Sequence, residues 1–275
     1  MIKVKSLAYQ TDLFLLGFSG ILRQEDGHIH IETPSNPSFF WGNLLYFPDA
    51  PQKGDVLRWT SLFKKAFTHQ PEVKHMTFGW DRTDGFKGEV DEFLSQGFIV
   101  DHTNVLVGIQ PKAPQKIPPK ITVRPISTNE EWHAVTELQI LVGKEQFREE
   151  HYRPFKETQM KNYKSMADQG LGDWYGAFLG DELVGNLGIF HQDGLGRYQA
   201  VQTHPDYRRQ GICGTLVYET ARYALEQLKL HTLVMVADWD SVPEKIYRSV
   251  GFEPQEQQIG IYRKDPAALL PGEES

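Results

Sequence analysis

The stretch Tyr198–Glu226 reads YQAVQTHPDYRRQGICGTLVYETARYALE and contains three segments of different character. Residues 198–203 can pair as a strand, and residues 204–211 form a turn with a proline and two arginines. From about Ile212, apolar residues recur at helical spacing, which predicts an amphipathic helix. Its apolar face consists of Leu216, Val217, Ala221, Ala224, Leu225 and Leu228.

A helix that begins directly after a basic turn is a candidate binding site for an anion. The first N–H groups of a helix have no partner inside it, and the helix dipole favours negative charge there. Gly211 allows a ligand to approach the backbone closely, and Arg208 and Arg209 add forked, positively charged donors. This physics indicates a diphosphate or a similar anion and names no reaction.

The turn resembles the signature Arg/Gln-x-x-Gly-x-Gly/Ala of the Gcn5-related N-acetyltransferases (GNAT superfamily). The matching residues are 208–213 (RRQGIC), and the preceding residues 204–207 (HPDY) are also similar to that family. One position departs, because Cys213 stands where Gly or Ala is usual. In that family the signature wraps the pyrophosphate of acetyl-coenzyme A (acetyl-CoA). The resemblance therefore implies acetyl-CoA as a cosubstrate.

Composition limits the classes of function that remain. The length of 275 residues suits one large or two small domains, and the net charge of −7 argues against broad nucleic-acid binding. Cys213 is the single cysteine, so we expect no disulfide and no metal site. We see no signal peptide and no apolar span long enough for a membrane. We expect a cytoplasmic monomer or homodimer, with no membrane partner.

A proline- and lysine-rich segment divides the chain. Residues 111–120 (PKAPQKIPPK) are predicted to form a stiff, exposed linker between a first half at 1–110 and a second half at 121–265. A loose tail is expected at 266–275. The second half orders its elements as strand, helices, hairpin, strand, helix, strand, helix, strand. That order is similar to the acetyltransferase fold, an α/β (α+β) class with a mixed central sheet flanked by helices.

The two halves contain an internal echo. Residues 93–98 (FLSQGF) parallel residues 247–252 (YRSVGF), and each run leads into a final strand. The first half has PQKGD at 51–55 where the basic turn would stand, and Phe93 where the second half has Tyr247. We interpret it as a truncated, degenerate and non-catalytic GNAT-like copy. The alternative is two unrelated α/β pieces that share a common helix-Gly-Phe ending.

Several individual elements are also predicted. HIHIE at 28–32 alternates as a strand, with His28 and His30 expected on a solvent face. Asp55 is expected to cap a helix that runs to about Thr68, and a second helix is expected over 84–96. The apolar patch at 13–18 fits either a helix or a strand. Residues 143–170 are expected to form one or two helices broken near Pro154.

Acetyl transfer to an amine requires a polarised carbonyl and a proton for the leaving thiolate. By the resemblance, backbone amides near Val201–Thr203 polarise the carbonyl, and Tyr247 is the proton donor. A tyrosine with a pKa of ~10 stays protonated at neutral pH and can donate to a thiolate whose parent thiol has a pKa of ~8.5. Asp240 or Ser241 would contact the pantetheine arm, because residues usual in the family are replaced there.

The full set of cofactor-binding residues implied by the resemblance can be named. It consists of Val201, Gln202, Thr203, Arg208, Arg209, Gln210, Gly211, Ile212, Cys213, Gly214, Thr215, Asp240 and Ser241.

The general base and the acceptor stay open. Gln202 stands where a strand carboxylate might be expected and cannot take a proton. A water relay is one alternative, and the others are Glu137, Glu145, Glu149, His151 and His191. The acceptor pocket is expected from residues 143–170 and the following hairpin. Its aromatic residues and charges suggest a small or peptide amine; they include Phe147, His151, Tyr152, Phe155 and Tyr163.

Three functional hypotheses follow. The first is an N-acetyltransferase that moves the acetyl group of acetyl-CoA directly to a primary amine of a small molecule or peptide. The second is a non-catalytic acyl-CoA-binding regulatory module. The third is acyl or aminoacyl transfer from charged tRNA, which the basic turn and the acidic net charge argue against.

Overall fold

The computed structural model describes residues 3–265, so the tail predicted at 266–275 lies outside the described residues. The helices are α1 (Leu7–Ser19), α2 (Asp55–Ala66), α3 (Asp91–Leu94), α4 (Asn129–Gly143), α5 (Glu149–Asp168), α6 (Ile212–Glu226) and α7 (Val242–Ser249). The strands are β1 (Ile21–Glu25), β2 (His28–Glu32), β3 (Leu44–Phe47), β4 (Met76–Trp80), β5 (Ile99–Gly108), β6 (Ile121–Pro125), β7 (Gly172–Leu179), β8 (Glu182–Gln192), β9 (Leu195–Thr203), β10 (Thr232–Asp238) and β11 (Phe252–Arg263).

The chain forms two compact units. The first contains residues 3–104 together with 256–265, and the second contains Val105–Gln255. Strands β5 and β11 therefore each contribute residues to both units. The functional division at 111–120 stays a prediction.

The first unit is a mixed sheet covered by an aromatic core. Its strand order is β1-β2-β3-β4-β11, antiparallel except for the parallel pair β3 and β4. Helix α2 buries Trp59 and Phe63 against this sheet. The Trp59 ring stacks on Phe47 with ring centroids 3.8 Å apart. Buried aromatic area of this kind accounts for much of the stability of the unit.

The second unit is also a mixed sheet, in the order β10-β9-β8-β7-β6, with helices on both faces. Its pairs are antiparallel except for β9 and β10, which are parallel. Successive strand residues point to opposite faces. Trp174 packs against Trp132 of α4 and Tyr163 of α5, whereas its neighbour Tyr175 packs against Tyr223 of α6. The predicted fold class, a mixed sheet flanked by helices, is confirmed.

Two predicted helices differ from the structure. The prediction of a helix over 84–96 was wrong, because only Asp91–Leu94 is helical. Gly85 and Gly88 have φ values of +72° and +68°, and this left-handed backbone is incompatible with a continuous helix. The region 143–170 yields the single long helix α5, with Pro154 inside it. Proline removes one helix hydrogen bond there without ending the helix.

The expectation that His28 and His30 face solvent was also wrong, since both are buried. Glu32 is buried on the same strand. Its carboxylate accepts hydrogen bonds from Arg23 and from Gln70, and it contacts His69 Nε2 at 2.9 Å. Burial raises the pKa of Glu32, but Arg23 and His69 outweigh that effect and hold it below its ordinary value.

Helix α5 buries a lysine among apolar side chains. The Lys156 residue is 5% exposed, and its Nζ donates to Gln159 Oε1 at 2.7 Å. The ammonium also lies over the rings of Tyr152 and Phe155, at 5.5 and 5.2 Å from their centroids. Burial disfavours the charged form and lowers the pKa of Lys156 from 10.5 to about 7.

Replacing Lys156 by Met should change the pH dependence of the free energy of unfolding. Between pH 7 and the ordinary lysine pKa, Lys156 is protonated in the unfolded chain and neutral in the folded chain. The free energy of unfolding of the wild type therefore rises with pH. We expect Lys156→Met to be more stable than wild type near pH 7.5. The difference in the free energy of unfolding between the variant and wild type should narrow by roughly 1.4 kcal/mol per pH unit between pH 7.5 and pH 9.5.

Urea unfolding at several pH values measures this gap. Lys161→Met is the matched control, because Lys161 lies on the same helix and is exposed. A gap between wild type and Lys156→Met that does not change with pH would contradict the assignment.

Candidate functional site

Strands β9 and β10 separate in the middle of the second unit. Their parallel pairing joins Leu195–Arg197 to Thr232–Val234, and within the described residues the ladder ends there. The remainder of β9, residues 198–203, stays paired with β8 on its other side. The side of β9 that faced β10 is therefore left without a ladder partner, which makes backbone groups available to a ligand.

A β-bulge lies in this separated part of β9. Gln199 pairs with Gly188 and Gln202 pairs with Asn186, so two residues on β9 oppose one on β8. Ala200, inside the bulge, has a φ of +45°, which is rare for a residue with a side chain. Gln139 of α4 donates from Nε2 to the Ala200 carbonyl at 2.6 Å and to Asn186 Oδ1 at 2.7 Å. Helix α4 thus fixes the irregular backbone directly before the half-buried Val201, Gln202 and Thr203.

Helix α6 begins without a side-chain cap. Gly211, with φ +90°, is its N-cap, and the Thr215 N–H is bonded to the Gly211 carbonyl at 3.0 Å. Within the described chain, the N–H groups of Ile212, Cys213 and Gly214 have no acceptor. The Ile212 side chain is buried in the core, and the Thr215 hydroxyl is bonded to the same Gly211 carbonyl. Ile212 can therefore reach a ligand only through its backbone, whereas the Thr215 N–H and hydroxyl are both occupied by the Gly211 carbonyl.

The other helices of the second unit begin differently. Thr128 caps α4 and Ser241 caps α7 through their side chains. Helices α4, α5 and α7 each carry an acidic residue in the first turn, and α6 carries none. The dipole at the α6 start is consequently not compensated from within its own first turn, which favours an external anion.

The two arginines of the turn are in different situations. Arg208 forms a two-point contact with Glu145, Nη1 to Oε1 at 2.9 Å and Nη2 to Oε2 at 3.0 Å. Both side chains are about four-tenths exposed, and a surface pair of this kind contributes little net stability. Arg209 adopts φ +63°, and its carbonyl accepts a hydrogen bond from Lys116 Nζ at 3.2 Å. Gln210 follows, half-buried, before Gly211.

Tyr247 lies on α7 in the core of the second unit and is 5% exposed. Burial, reinforced by Cys213 and Asp238, raises the pKa of its hydroxyl well above the ordinary value. The hydroxyl is therefore protonated throughout the physiological range. Burial likewise raises the pKa of the Cys213 thiol to about 12, so Cys213 is not a thiolate nucleophile at neutral pH.

Asp240 and Ser241 organise the start of α7. The Ser241 hydroxyl accepts from the Glu244 N–H at 3.2 Å, and Glu244 Oε2 accepts from the Asp240 N–H at 2.8 Å. The Asp240 carboxylate is exposed and pairs with Lys245 at 2.9 Å. Asp240 itself has φ +55°, which directs the chain into the helix. Their predicted contact with a pantetheine arm stays a prediction.

The carboxylates considered as general bases are held in ion pairs. Glu137 contacts Arg153, and Glu149 contacts both Arg153 and Lys144. The hydrogen bonds from these cations lower the pKa of Glu137 and of Glu149, which makes each a weaker base. Glu145 is paired with Arg208, as described above. The sequence did not reveal these pairs, because the partners of Glu137 and Glu145 lie far from them along the chain.

Sequence reasoning missed one segment near the helix start. Residues 111–120 were interpreted as a linker only, yet Pro114 and Lys116 lie against the start of α6. A Cβ on Gly214 would lie 3.5 Å from Pro114 Cβ, and a Cβ on Gly211 would fall on the Lys116 carbonyl oxygen. The available signal was Gly211, since glycine permits close approach of another backbone.

The first unit repeats the helix start with a different first residue. Gly54 is the N-cap of α2 with φ +85°, close to the +90° of Gly211. Asp55, which was expected to be the cap, is instead the first helical residue. Its carboxylate accepts from the Gln52 N–H at 2.9 Å and pairs with Arg58 at 2.8 Å. The Asp55 carboxylate thus provides a negative charge at the start of α2 from within the chain.

The ends of the echoed runs also match in conformation. Gly97 and Gly251 are both left-handed, with φ values of +80° and +99°. The helices that carry the two runs differ in length, since α3 has one turn and α7 has two. Phe93 and Tyr247 are both buried in the cores of their own units. These features support a repeat over a chance ending.

Comparison with known proteins identifies the family of one part of the chain. The model of the acetyltransferase (GNAT) family matches residues 132–252, which include β9, the basic turn, α6 and α7. The search of curated proteins found no significant match. Among the described residues, no helix is long and apolar enough to cross a membrane.

Solved structures show that the likeness extends beyond the matched residues. A functionally unknown conserved protein from Staphylococcus epidermidis aligns with a TM-score of 0.69 and 15% identity, over 90% of this chain and 95% of that chain. A GCN5-related N-acetyltransferase from Kribbella flavida aligns with a TM-score of 0.65 and 13% identity, over 96% of this chain and 97% of that chain.

A tandem GNAT protein of the clavulanic acid biosynthesis pathway, solved without acetyl-CoA, is also similar. It aligns with a TM-score of 0.54 and 13% identity, over 93% of this chain and 85% of that chain. At such identities the likeness shows the fold, and it includes the N-terminal half. The resemblance found in the sequence is confirmed, since residues 132–252 of the second unit match the acetyltransferase (GNAT) family.

Proposed function

We propose that the chain is an N-acetyltransferase that moves the acetyl group of acetyl-CoA directly to a primary amine of a small molecule or peptide. The observation that carries the proposal is the start of α6. It has a left-handed glycine, no side-chain cap and no acidic residue in its first turn. Such a helix start binds phosphate groups through its backbone N–H donors. Family membership supports acetyltransferase activity in general.

Each part of the site has a proposed role. The N–H groups of residues 210–214 hold the pyrophosphate, and Arg208 and Arg209 add positive charge. Backbone amides at Val201–Thr203, beyond the bulge, polarise the thioester carbonyl as the charge develops on its oxygen. Asp240 and Ser241 lie near the pantetheine arm.

Tyr247 supplies the proton for the leaving group. The acceptor amine forms a C–N bond at the carbonyl carbon, the C–S bond breaks, and the thiolate takes the Tyr247 proton. A protonated hydroxyl is needed for this step, and burial keeps Tyr247 in that form. A positioned general acid contributes ~10²–10⁴-fold to the rate of such a step.

In this proposal the proton of the acceptor amine leaves to water, and water returns a proton to the Tyr247 oxygen. Glu137 and Glu149 have lowered pKa values because cations pair with them, and Gln202 cannot accept a proton. A relay of ordered water does not require a side-chain base. The same shortage of a free carboxylate supports the second candidate, a non-catalytic acyl-CoA-binding regulatory module.

The acceptor side is formed by α4 and α5. Tyr163 donates from its hydroxyl to Gln199 Oε1 at 2.9 Å, directly beside the bulge. Further toward the start of α5, Tyr152 stacks on Phe147 with centroids 5.2 Å apart and contacts Phe155. These aromatic side chains suit an amine with an apolar portion.

The first half has no catalytic role in this proposal. Asp55 places a carboxylate at the corresponding helix start, where it would repel phosphate. Phe93 has no hydroxyl to donate a proton. The first half therefore serves as a degenerate copy.

Replacing Tyr247 by Phe tests the proposal. We expect acetyl-CoA to bind the variant about as tightly as wild type. The release of thiol in the presence of a panel of primary amines should fall by roughly 100-fold or more, because the proton donor is lost. Calorimetric binding and a thiol-release assay measure the two quantities.

Tyr198→Phe is the matched control, because it also removes a buried hydroxyl from the second unit, one that bonds to the Val217 carbonyl at 3.2 Å. Unchanged turnover in Tyr247→Phe would remove Tyr247 from its role. Tight binding by wild type with no turnover across the panel would select the regulatory module. Absence of binding at millimolar acetyl-CoA would contradict both functions.

A further inference from the structure

A segment before β6 crosses the two helices that form the candidate cofactor site. We call residues 110–116 the strap. The Lys112 N–H donates to the Val250 carbonyl at 2.9 Å, at the end of α7. Farther along, Lys116 Nζ donates to the Arg209 carbonyl at 3.2 Å, directly before α6. The strap therefore runs from the end of α7 to the basic turn and is bonded at both places.

Two glycines allow this close contact. A Cβ on Gly251 would lie 2.6 Å from the Gln110 carbonyl oxygen, and a Cβ on Gly211 would fall on the Lys116 carbonyl oxygen. Side chains at these two positions would push the strap away, so its packing depends on Gly251 at the end of α7 and on Gly211 in the basic turn.

The strap leaves the donors of the helix start available. The backbone hydrogen bonds of the described residues include none from the N–H groups of residues 210–214 to the strap. The Lys116 carbonyl packs against Gly211 without occupying those donors. An anion bound at the start of α6 would therefore lie next to the strap rather than compete with it.

The local charge balance makes Lys116 significant. The positive charge of Arg208 is partly offset by its two-point contact with Glu145. Lys116 is exposed, and within the described chain it contacts no carboxylate. Its ammonium is anchored by a single hydrogen bond to a backbone carbonyl, which leaves other donors of the group free.

We propose that Lys116 is a phosphate ligand of the acyl-CoA site and that the strap forms one wall of that site. The inference rests on the proposed function and extends it to a residue outside the turn. A lysine acts as a compact, mobile point charge toward phosphate, and its hold on Arg209 keeps it within reach of the helix start. The ligand chemistry it recognises is a phosphate group of the nucleotide portion of coenzyme A.

Charge-removing variants of the full chain test the proposal. Calorimetric titration with acetyl-CoA at low salt should show roughly tenfold weaker binding by Lys116→Gln than by wild type. Lys120→Gln, which removes the same charge from the same exposed segment, should bind within about twofold of wild type. Lys116→Arg should recover most of the affinity, since it restores the positive charge.

Titration with dephospho-coenzyme A assigns the phosphate. If Lys116 contacts the 3′-phosphate, Lys116→Gln and wild type should bind this compound equally. If Lys116 contacts the pyrophosphate, the variant should lose the same factor with both compounds. Either pattern supports the proposal. A melting temperature equal to that of wild type, followed by circular dichroism, would show that Lys116→Gln is folded.

Failure of the inference is distinguishable from failure of the proposed function. Absence of acetyl-CoA binding by wild type would overturn the function itself. Binding by wild type with equal affinities for Lys116→Gln and Lys120→Gln would overturn only the role of Lys116, whether both match wild type or both fall together.

Discussion

The backbone of Gly211 controls the arrangement of the second unit around α6. A φ of +90° lets the chain leave the basic turn and enter the helix without a side-chain cap, and only glycine adopts it without strain. The helix donors that follow stay available, because no side chain in the described part of the chain accepts from them. The same position also lets the strap pack against the turn. Gly211 thus affects both the availability of the N–H donors at the start of α6 and the packing of the strap beside them.

The two units use the same turn geometry for different purposes. Gly54 and Gly211 start α2 and α6 with nearly equal backbone angles. The next residue decides the outcome, because Asp55 brings an anion within the chain and Ile212 does not. A helix start that is neutralised internally contributes to stability, whereas one left open attracts a ligand. In the proposed function, this difference separates a helix start that binds phosphate from one that does not.

Much of the second half was predictable because its patterns are local. Helix α6 begins at Ile212, where the helical spacing of apolar residues predicts its start. Helical spacing, a proline-containing turn and a two-residue hairpin each depend on neighbours in sequence. The GNAT resemblance added the roles of residues that spacing alone cannot assign.

The remaining features depend on partners that are distant in sequence. His28 and His30 are buried, although alternation in a short strand suggested a solvent face. Glu145 meets Arg208 across sixty-three positions, and Lys116 meets Arg209 across ninety-three. The end of β11 belongs with the first unit, which no local pattern indicates. Burial and ion pairing of this kind are set by tertiary structure, so the general base could not be inferred from the sequence.

The most direct measurement of the central claim is an amide NMR titration of the full chain with acetyl-CoA. The account predicts saturable shifts at the N–H groups of Gln210–Gly214 and at Val201–Thr203, with none at residues 54–58 of the first unit. Shifts at residues 54–58 without shifts at residues 210–214, or no saturable shift anywhere, would contradict it.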